Sequence, residues 1–390
     1  AITLLYVIHY MTTISFTIFL CLAGMTLASW VGPVRLFSIS DCVYVASVYR
    51  EPKSAMNHVI CRTNFYGKFW HIAVSDVGTV LASTLFNNVD YTMVATIQGA
   101  GDGKHLFLAM ASASSIYYTE SSDDGATWSV PKDVKVGDYK YMEDFLYVKE
   151  YGRAYVFFIN RQRELRVLTK AAGSVSFSED ILIARDAVFT VLRAKAAYSI
   201  RRNALLLIHA FYVTADGKLA YTQSATHGAT WTQPKIIDNS VLEITHAVSN
   251  KFSESIYVSY STGSSHPTRM IMTKDSGTTF SVPKSFTNKG AAFGNHGLAF
   301  CGSADNLLLV SYATDERIIE YDFWKLEELA PVERFHPFSR SQTLSAGVGC
   351  AVDANYPAFK VAVFITKEDG LYFASEYGIF QTAGTSAAEK

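Results

Sequence analysis

The sequence predicts an all-β chain: a β-propeller of four-stranded blades, seven by hairpin count, with a six-bladed propeller as the alternative. Three observations carry this. Aromatic residues make up 14% of the chain and β-branched residues are frequent, and both types suit pleated, half-buried surfaces. Apolar hairpins recur, with first strands CVYVASVY, HLFLAM, AYVFFIN, ALLLIHAF, SIYVSY, NLLLVSY and FKVAVFIT. After the first gap they are spaced by about fifty residues, the length of a four-stranded blade. A turn motif recurs with the hairpins, and FWKLEELAP is the one short helix candidate between them.

Residues 1–29 are the most apolar part, with no charged residue before Arg35. Counted from Met11, a short apolar core ending in small residues at Ala28 and Ser29 reads as a secretory signal. Counted from Ala1, the run is long enough for a membrane anchor. Both readings export the rest, so residues 30–390 are read as one propeller domain, secreted or at the cell surface. Membrane contact is expected only through the N-terminal segment. Setting aside Cys21, four cysteines remain: Cys42, Cys61, Cys301 and Cys350. An even count in an exported chain fits two disulfides, for which sequence permits three connectivities. Cys42 and Cys61 flank a hairpin, so that pair is expected, with Cys301–Cys350 joining inner strands of adjacent blades.

Each first strand is followed by a second, such as NHVICRT, SIYYTES, KLAYTQ or GLYFASE. Several joining turns are of the DG type, as in TADGKLAY and KEDGLYF, which favour tight hairpins. The turn motif reads S-x-D-x-G-x-T-W. SSDDGATW carries it with Ser121, Asp123, Gly125 and Trp128. SATHGATW repeats it with Ser224, Gly228 and Trp231, but Thr226 stands in the Asp position. TKDSGTTF gives Thr273, Asp275, Gly277 and Phe280. TNFYGKFW and TKAAGSVSF are weaker copies. Ser or Thr and Asp satisfy backbone groups of a turn, Gly supplies positive φ, and Trp fills the gap between sheets. These are fold residues, and one or two oxygens per turn fall short of a calcium shell.

This motif resembles the Asp-box, or bacterial neuraminidase repeat, of the sialidase superfamily, and the segment LLLVSYATDERIIEYDFWKLEELAPVERF is distantly similar to trypanosomal trans-sialidase catalytic domains. The resemblance implies three arginines around a substrate carboxylate, a Tyr nucleophile with a Glu beside it, and an Asp acid/base. Sought by position, Arg35 in PVRLFSIS and Arg269 in HPTRMIM match two arginines, and Glu51 in VYREP stands near the acid/base position. Arg193 and Lys195 occupy the place of the Glu, Ala210 and Phe211 that of an arginine, and Asn295 or His296 that of the nucleophile. The departures fall on bond-breaking residues. Other polar residues on inner strands, Glu143, Asp144, Arg193, Lys195, His246, Asn295 and His296, form either a hydrated funnel or a mixed-charge binding floor.

A net charge of −1 without a Lys/Arg run gives no footprint for nucleic acid. No His/Cys cluster has zinc spacing and no Gly-rich loop opens a helix, so no metal and no cofactor are expected. The expected function is a non-enzymatic sialidase-like propeller that binds a glycan, such as sialic acid, or a protein. An active glycosidase of sialidase type is the alternative, and a scaffold or assembly factor the second.

Overall fold

The computed structural model describes residues 29–38, 42, 44–54, 56–63, 68–86, 91–112, 114–188, 193–201, 203–249, 254–262, 268–285, 297–300, 307–313, 319–325, 330–335, 345–352, 358–367 and 370–379. The expected leader or anchor, Asn295, His296 and Cys301 lie outside them. Among the described residues no helix is long and apolar enough to cross a membrane.

Strand β1 (Ser29–Ser38) opens the described chain. The first complete sheet is β2 (Tyr44–Arg50), β3 (Met56–Arg62), β4 (Phe69–Ser75) and β5 (Val80–Phe86), and the second is β6 (Tyr91–Gly99), β7 (Leu106–Ser112), β8 (Ser115–Ser121) and β9 (Lys132–Val136). The third holds β10 (Tyr141–Val148), β11 (Arg153–Ile159), β12 (Leu165–Lys170) and β13 (Ile181–Ala184), and the fourth β14 (Ala194–Ile200), β15 (Leu206–Val213), β16 (Leu219–Ser224) and β17 (Lys235–Asp238). The fifth holds β18 (Glu243–Ser249), β19 (Ile256–Ser261), β20 (Thr268–Thr273) and β21 (Lys284–Ser285), and the sixth β22 (Gly297–Phe300), β23 (Leu307–Ala313), β24 (Ile319–Lys325) and β25 (Ala330–Phe335). The last has the order β1-β28-β27-β26, from β26 (Ser345–Val352), β27 (Ala358–Lys367) and β28 (Gly370–Ile379).

Every pairing within these sheets is antiparallel. Each of β2, β6, β10, β14, β18, β22 and β26 lies against the next, and β26 lies against β2. The first strands therefore surround the axis of an all-β propeller of small four-stranded sheets, and the six-sheet alternative does not form. The five sheets from β2–β5 to β18–β21 are described down to their side chains, apart from residues 91–94. Because β1 completes the sheet of β26–β28, the N-terminal strand ties the two ends of the described chain together.

CVYVASVY, grouped above with the hairpin first strands, contains the axis strand β2. The true counterpart of the later hairpins is β3–β4, starting at Met56, and β7, β11 and β15 start at Leu106, Arg153 and Leu206. This removes the long first gap. TNFYGKFW accordingly lies in the β3–β4 connection and is no copy of the turn between outer strands. FWKLEELAP contributes Phe323–Lys325 to β24, paired with Leu307–Leu309, so it is not a helix. The Cys42–Cys61 disulfide is present, with Cα atoms 5.5 Å apart. Cys61 pairs with Val45 across the ladder, so Cys42 reaches it from just before β2.

The core lies between blades. One seam joins Ile60, Phe69 and Phe86 to Ile97, Leu106 and Leu108. The next joins Phe107 and Tyr118 to Phe145 and Phe158. Further seams join Tyr155 and Phe157 to Ala196 and Tyr212, and Phe211 and Tyr221 to Ile256 and Tyr260. A middle strand such as Leu106–Ser112 is buried at every position, because both of its faces meet a neighbouring blade. That explains apolar runs without the alternation of a one-sided sheet.

The S-x-D-x-G-x-T-W turns lock these seams. Ser121 Oγ accepts from Gly125 N (2.9 Å), and Asp123 accepts from Thr127 N (2.8 Å) and Thr127 Oγ1 (2.6 Å). In the second copy Thr226 Oγ1 accepts from Thr230 N at 2.8 Å, which is how Thr replaces Asp. In the third, Asp275 accepts from Thr279 N and Oγ1. Each aromatic leans on the preceding blade: Trp128 on Phe86, Phe177 on Tyr118, Trp231 on Phe157 and Phe280 on Tyr221. Trp128 and Trp231, expected to be largely buried between blades, are half-buried.

Gly277 has φ +87°, and a Cβ there would overlap the Tyr221 hydroxyl of the preceding blade, whereas Gly173 has φ +73° with nothing near. Gly173→Ala is expected to cost about 1 kcal/mol, from positive φ alone. Gly277→Ala is expected to cost about 3 kcal/mol or more, since the collision adds to the strain. Urea unfolding of both variants checks the difference; equal costs would mean the turn does not press on the neighbouring blade.

Candidate functional site

Antiparallel pairing puts the starts of the axis strands and the ends of the second strands at one end of the channel. Tyr44 opens β2 and pairs with Arg62 at the end of β3, the guanidinium lying 5.2 Å from the ring centroid. Glu143 stands near the start of β10, Arg193 directly before β14, and Glu243 first in β18. These groups feel one another: burial raises the Tyr44 phenol, and Arg62 and Glu243 then act on it in opposite directions. Burial lowers Arg193, against which the charges of Glu243 and Glu143 act. Arg62 is lowered by burial as well. The mouth of the channel is therefore lined by two partly desolvated guanidinium groups among carboxyls and a tyrosine.

Beneath the mouth, Glu143 and Asp144 bind β10 to β14. A bulge between Met142 and Asp144 turns Glu143 toward the next blade. Its Oε2 accepts from Arg193 N (2.7 Å) and Ala194 N (3.1 Å), while its buried Oε1 has no hydrogen-bond partner. Asp144 Oδ2 accepts from Ala196 N at 2.8 Å, and Lys195 donates to the Glu143 carbonyl at 3.1 Å and lies 3.8 Å from Asp144. Adjacent axis strands diverge, so these carboxylates satisfy N–H groups that no ladder reaches. Burial pushes Glu143 up to about 8 and raises Asp144. His246, half-buried on β18, pairs with Ser259.

Of the residues sought from the sequence, Glu143, Asp144, Arg193 and Lys195 come together here. Arg35 does not: it is exposed on β1, the outermost strand of its sheet, because the first strand of the chain joins the last sheet from outside. Arg269 lies on the third strand β20, 3.7 Å from Asp238 on the edge strand of the preceding blade. Glu51 is buried in the β2–β3 turn at the opposite end, accepting from Tyr49 OH (3.2 Å) and Lys53 N (3.2 Å). Arg62 pairs with Tyr44, five positions before Tyr49 along β2, a separation of about 17 Å. Burial raises both Tyr49 and Glu51, so each is held toward its uncharged form. This Tyr–Glu pair is neither activated nor near the two arginines. Sequence reading missed Tyr44, Arg62 and Glu243; the register of β2 on β3 was the signal that could have found the first two.

No protein-family model and no curated protein matches the chain. Solved structures do. The BP39L lectin of Burkholderia pseudomallei is similar over 87% of this chain and 99% of its own, at 11% identity and a TM-score of 0.68. A PL25 ulvan lyase, a polysaccharide lyase, is similar over 88% and 95%, at 10% identity and 0.60. The hydrazine synthase of Kuenenia stuttgartiensis is similar over 85% and 94%, at 11% identity and 0.61. At such identities the likeness shows the propeller fold alone, and the sialidase-superfamily resemblance rests on the turn motif.

Glu143 gives the site a pH dependence. Its carboxyl titrates at about 8 in the fold against an ordinary 4.5. The folded state thus holds a proton that the unfolded chain has released, and this contribution to stability is full below 4.5 and lost as pH rises toward 8. The loss is at most roughly 5 kcal/mol. Glu143→Gln keeps an oxygen for the two N–H groups and cannot ionise. Urea unfolding at about pH 5 and about pH 9 is expected to show the variant gaining on the wild type by a few kcal/mol at the higher pH. No relative gain would mean that Glu143 is charged in the fold at neutral pH.

Proposed function

We propose that this propeller is a non-enzymatic binding protein for acidic glycans, which it holds at the channel mouth by Arg62 and Arg193. The supporting observation is the presence there of two guanidinium groups that burial has lowered. A saccharide carboxylate returns to them the solvation lost on folding, through charge-assisted and bidentate hydrogen bonds. Glu243 disfavours a second negative charge, so the site selects a single carboxylate on an otherwise neutral sugar. Glu143 also holds Arg193 in place through its main-chain N–H. The lectin and polysaccharide lyase among the similar structures accord with a carbohydrate role on this fold.

The non-enzymatic part of the reading is supported by placement among the described residues. Retaining hydrolysis needs a nucleophile and a proton donor flanking one sugar. Arg35, Arg269 and Glu51 stand at three separate places in the fold, and Tyr49 is held neutral far from Arg62. An exported location, secreted or at the cell surface, belongs to the same proposal and accords with the Cys42–Cys61 disulfide.

Isothermal titration with oligosaccharides ending in sialic acid or a uronic acid, beside neutral counterparts, tests this. Arg62→Ala and Arg193→Ala are each expected to weaken acidic-glycan binding by about 10- to 100-fold, the value of a charged hydrogen bond. Equal binding of neutral and acidic glycans, or indifference to both substitutions, overturns the proposal. Turnover of a fluorogenic sialoside that vanishes in both variants establishes the enzymatic alternative instead.

A further inference from the structure

Away from the channel, two buried histidines join the first two blades. His58 on β3 and His71 on β4 are fully buried, and their rings stack at 5.4 Å. His58 Nδ1 lies 3.1 Å from His71 Nε2, and His58 Nε2 lies 3.0 Å from Asp124 Oδ1. Trp128 Nε1 lies 3.3 Å from His71 Nδ1. Asp124 and Trp128 both belong to the turn between β8 and β9, so one turn grips the histidine pair at both ends. Gly125 completes the grip: a Cβ there would collide with the His71 ring.

The direction of every hydrogen bond follows from one fact. An indole nitrogen only donates, so His71 Nδ1 accepts from Trp128. Neutral His71 then carries its proton on Nε2 and donates to His58 Nδ1. Neutral His58 carries its proton on Nε2 and donates to Asp124. We propose that this Trp128–His71–His58–Asp124 chain is a proton-operated latch between the first two blades, in which one added proton releases the Trp128 end of the turn.

A proton placed on His71 sits on Nδ1, facing the indole N–H. A proton placed on His58 makes its Nδ1 a donor, so His71 Nε2 must accept and His71 moves its own proton to Nδ1. Either way two donors face each other at Trp128, and that contact opens. The carboxylate nearest the pair belongs to Asp124 and lies on the His58 side. Its side chain is only 19% exposed. On β2, Tyr49 stacks over His58 at 6.3 Å and is hydrogen-bonded to Glu51. His71 is held well below 6.5 by burial and by the charge of His58. Phe86 and Gly125 face the Trp128 and His71 rings without a charge. Arg50, Asn57 and Asp76 bond to one another around the next residue of β3, which points to its opposite face.

The blade 4–5 junction shows what the latch lacks elsewhere. There His209 is bonded to Tyr221 OH (2.8 Å) and Ser199 Oγ (2.8 Å). Ser199 Oγ in turn lies 3.2 Å from Ser276 Oγ, and Ser276 stands in its turn where Asp124 stands in the other. Hydroxyl groups donate or accept as needed, and no indole fixes the direction. Trp231 of the turn between β16 and β17 donates to Gly228 O within its own turn.

The test is nuclear magnetic resonance on protein carrying 15N-labelled tryptophan and histidine, from about pH 8 to about pH 5, across the range where histidine titrates. The Trp128 signal is assigned by its loss in Trp128→Phe. At high pH both imidazoles are expected as Nε2–H tautomers. On acidification the Trp128 indole proton is expected to shift and exchange at least ~10-fold faster in one step, while the Trp231 indole stays unchanged. Asp124→Asn, whose side chain tolerates the positive φ of this position, is expected to move the step down by about one pH unit. A Trp128 signal that stays fixed until the protein unfolds overturns the latch. So does a step shared with Trp231, or one that Asp124→Asn leaves in place.

Discussion

A four-stranded blade cannot be stable alone, because both of its faces are apolar, and everything else in this protein follows from the need to cover them. Strands β7, β15 and β19 are buried along their whole length, so their sheets require a neighbour on either side. A ring of sheets meets that requirement without leaving a free face. The ring in turn requires the chain ends to meet, which β1 accomplishes by pairing with β28. Leu371 and Phe373 of that last sheet pack with Val45, Val59 and Ile72 of the first. The Cys42–Cys61 disulfide stands in the same cluster, at the point where closure is made.

The seams between blades are not uniformly apolar. Polar side chains are set into them wherever the backbone of one blade diverges from the next. Gln98 on β6 donates to the Phe145 carbonyl and accepts from Tyr147 N on β10. Glu143 and Asp144 do the same for β14, and the histidine clusters do it toward the rim. A buried polar group that is fully bonded specifies one arrangement of its surroundings, because every alternative leaves a donor or acceptor stranded. These residues set the angle and order of blades whose apolar faces could otherwise slide. The Oε1 atom of Glu143 and the Tyr155 hydroxyl are exceptions, each buried without a hydrogen-bond partner.

The proposed binding site lies at the mouth of the channel. The rim turns are occupied with folding: their Ser, Thr and Asp side chains bond within the turn and their aromatics brace the preceding blade. The mouth differs in kind. There, charged side chains from several blades meet, and burial takes away part of their solvation. A binding site can form from residues far apart in sequence because the ring brings equivalent strand ends to one place.

The sequence by itself determined the all-β class, the blade length and the chemistry of the rim turns, because each depends on neighbours within about ten residues along the chain. S-x-D-x-G-x-T-W spells out its own hydrogen bonds, and Cys42 and Cys61 are brought close by one hairpin. Glu143, Asp144, Arg193 and Lys195 were legible as polar intrusions in apolar strands. What only the tertiary structure decided is which strand stands where. Arg35 looked like an inner-strand arginine, and the closure by β1 moved it to the outside. Tyr44, Arg62 and Glu243 gave no local signal, since their meeting depends on how blades close around an axis. His58 and His71 gave no local signal either, since the register of β3 on β4 and the turn of the next blade bring their partners together. Closing a ring is a property of all the blades together, and no local stretch of the chain encodes it.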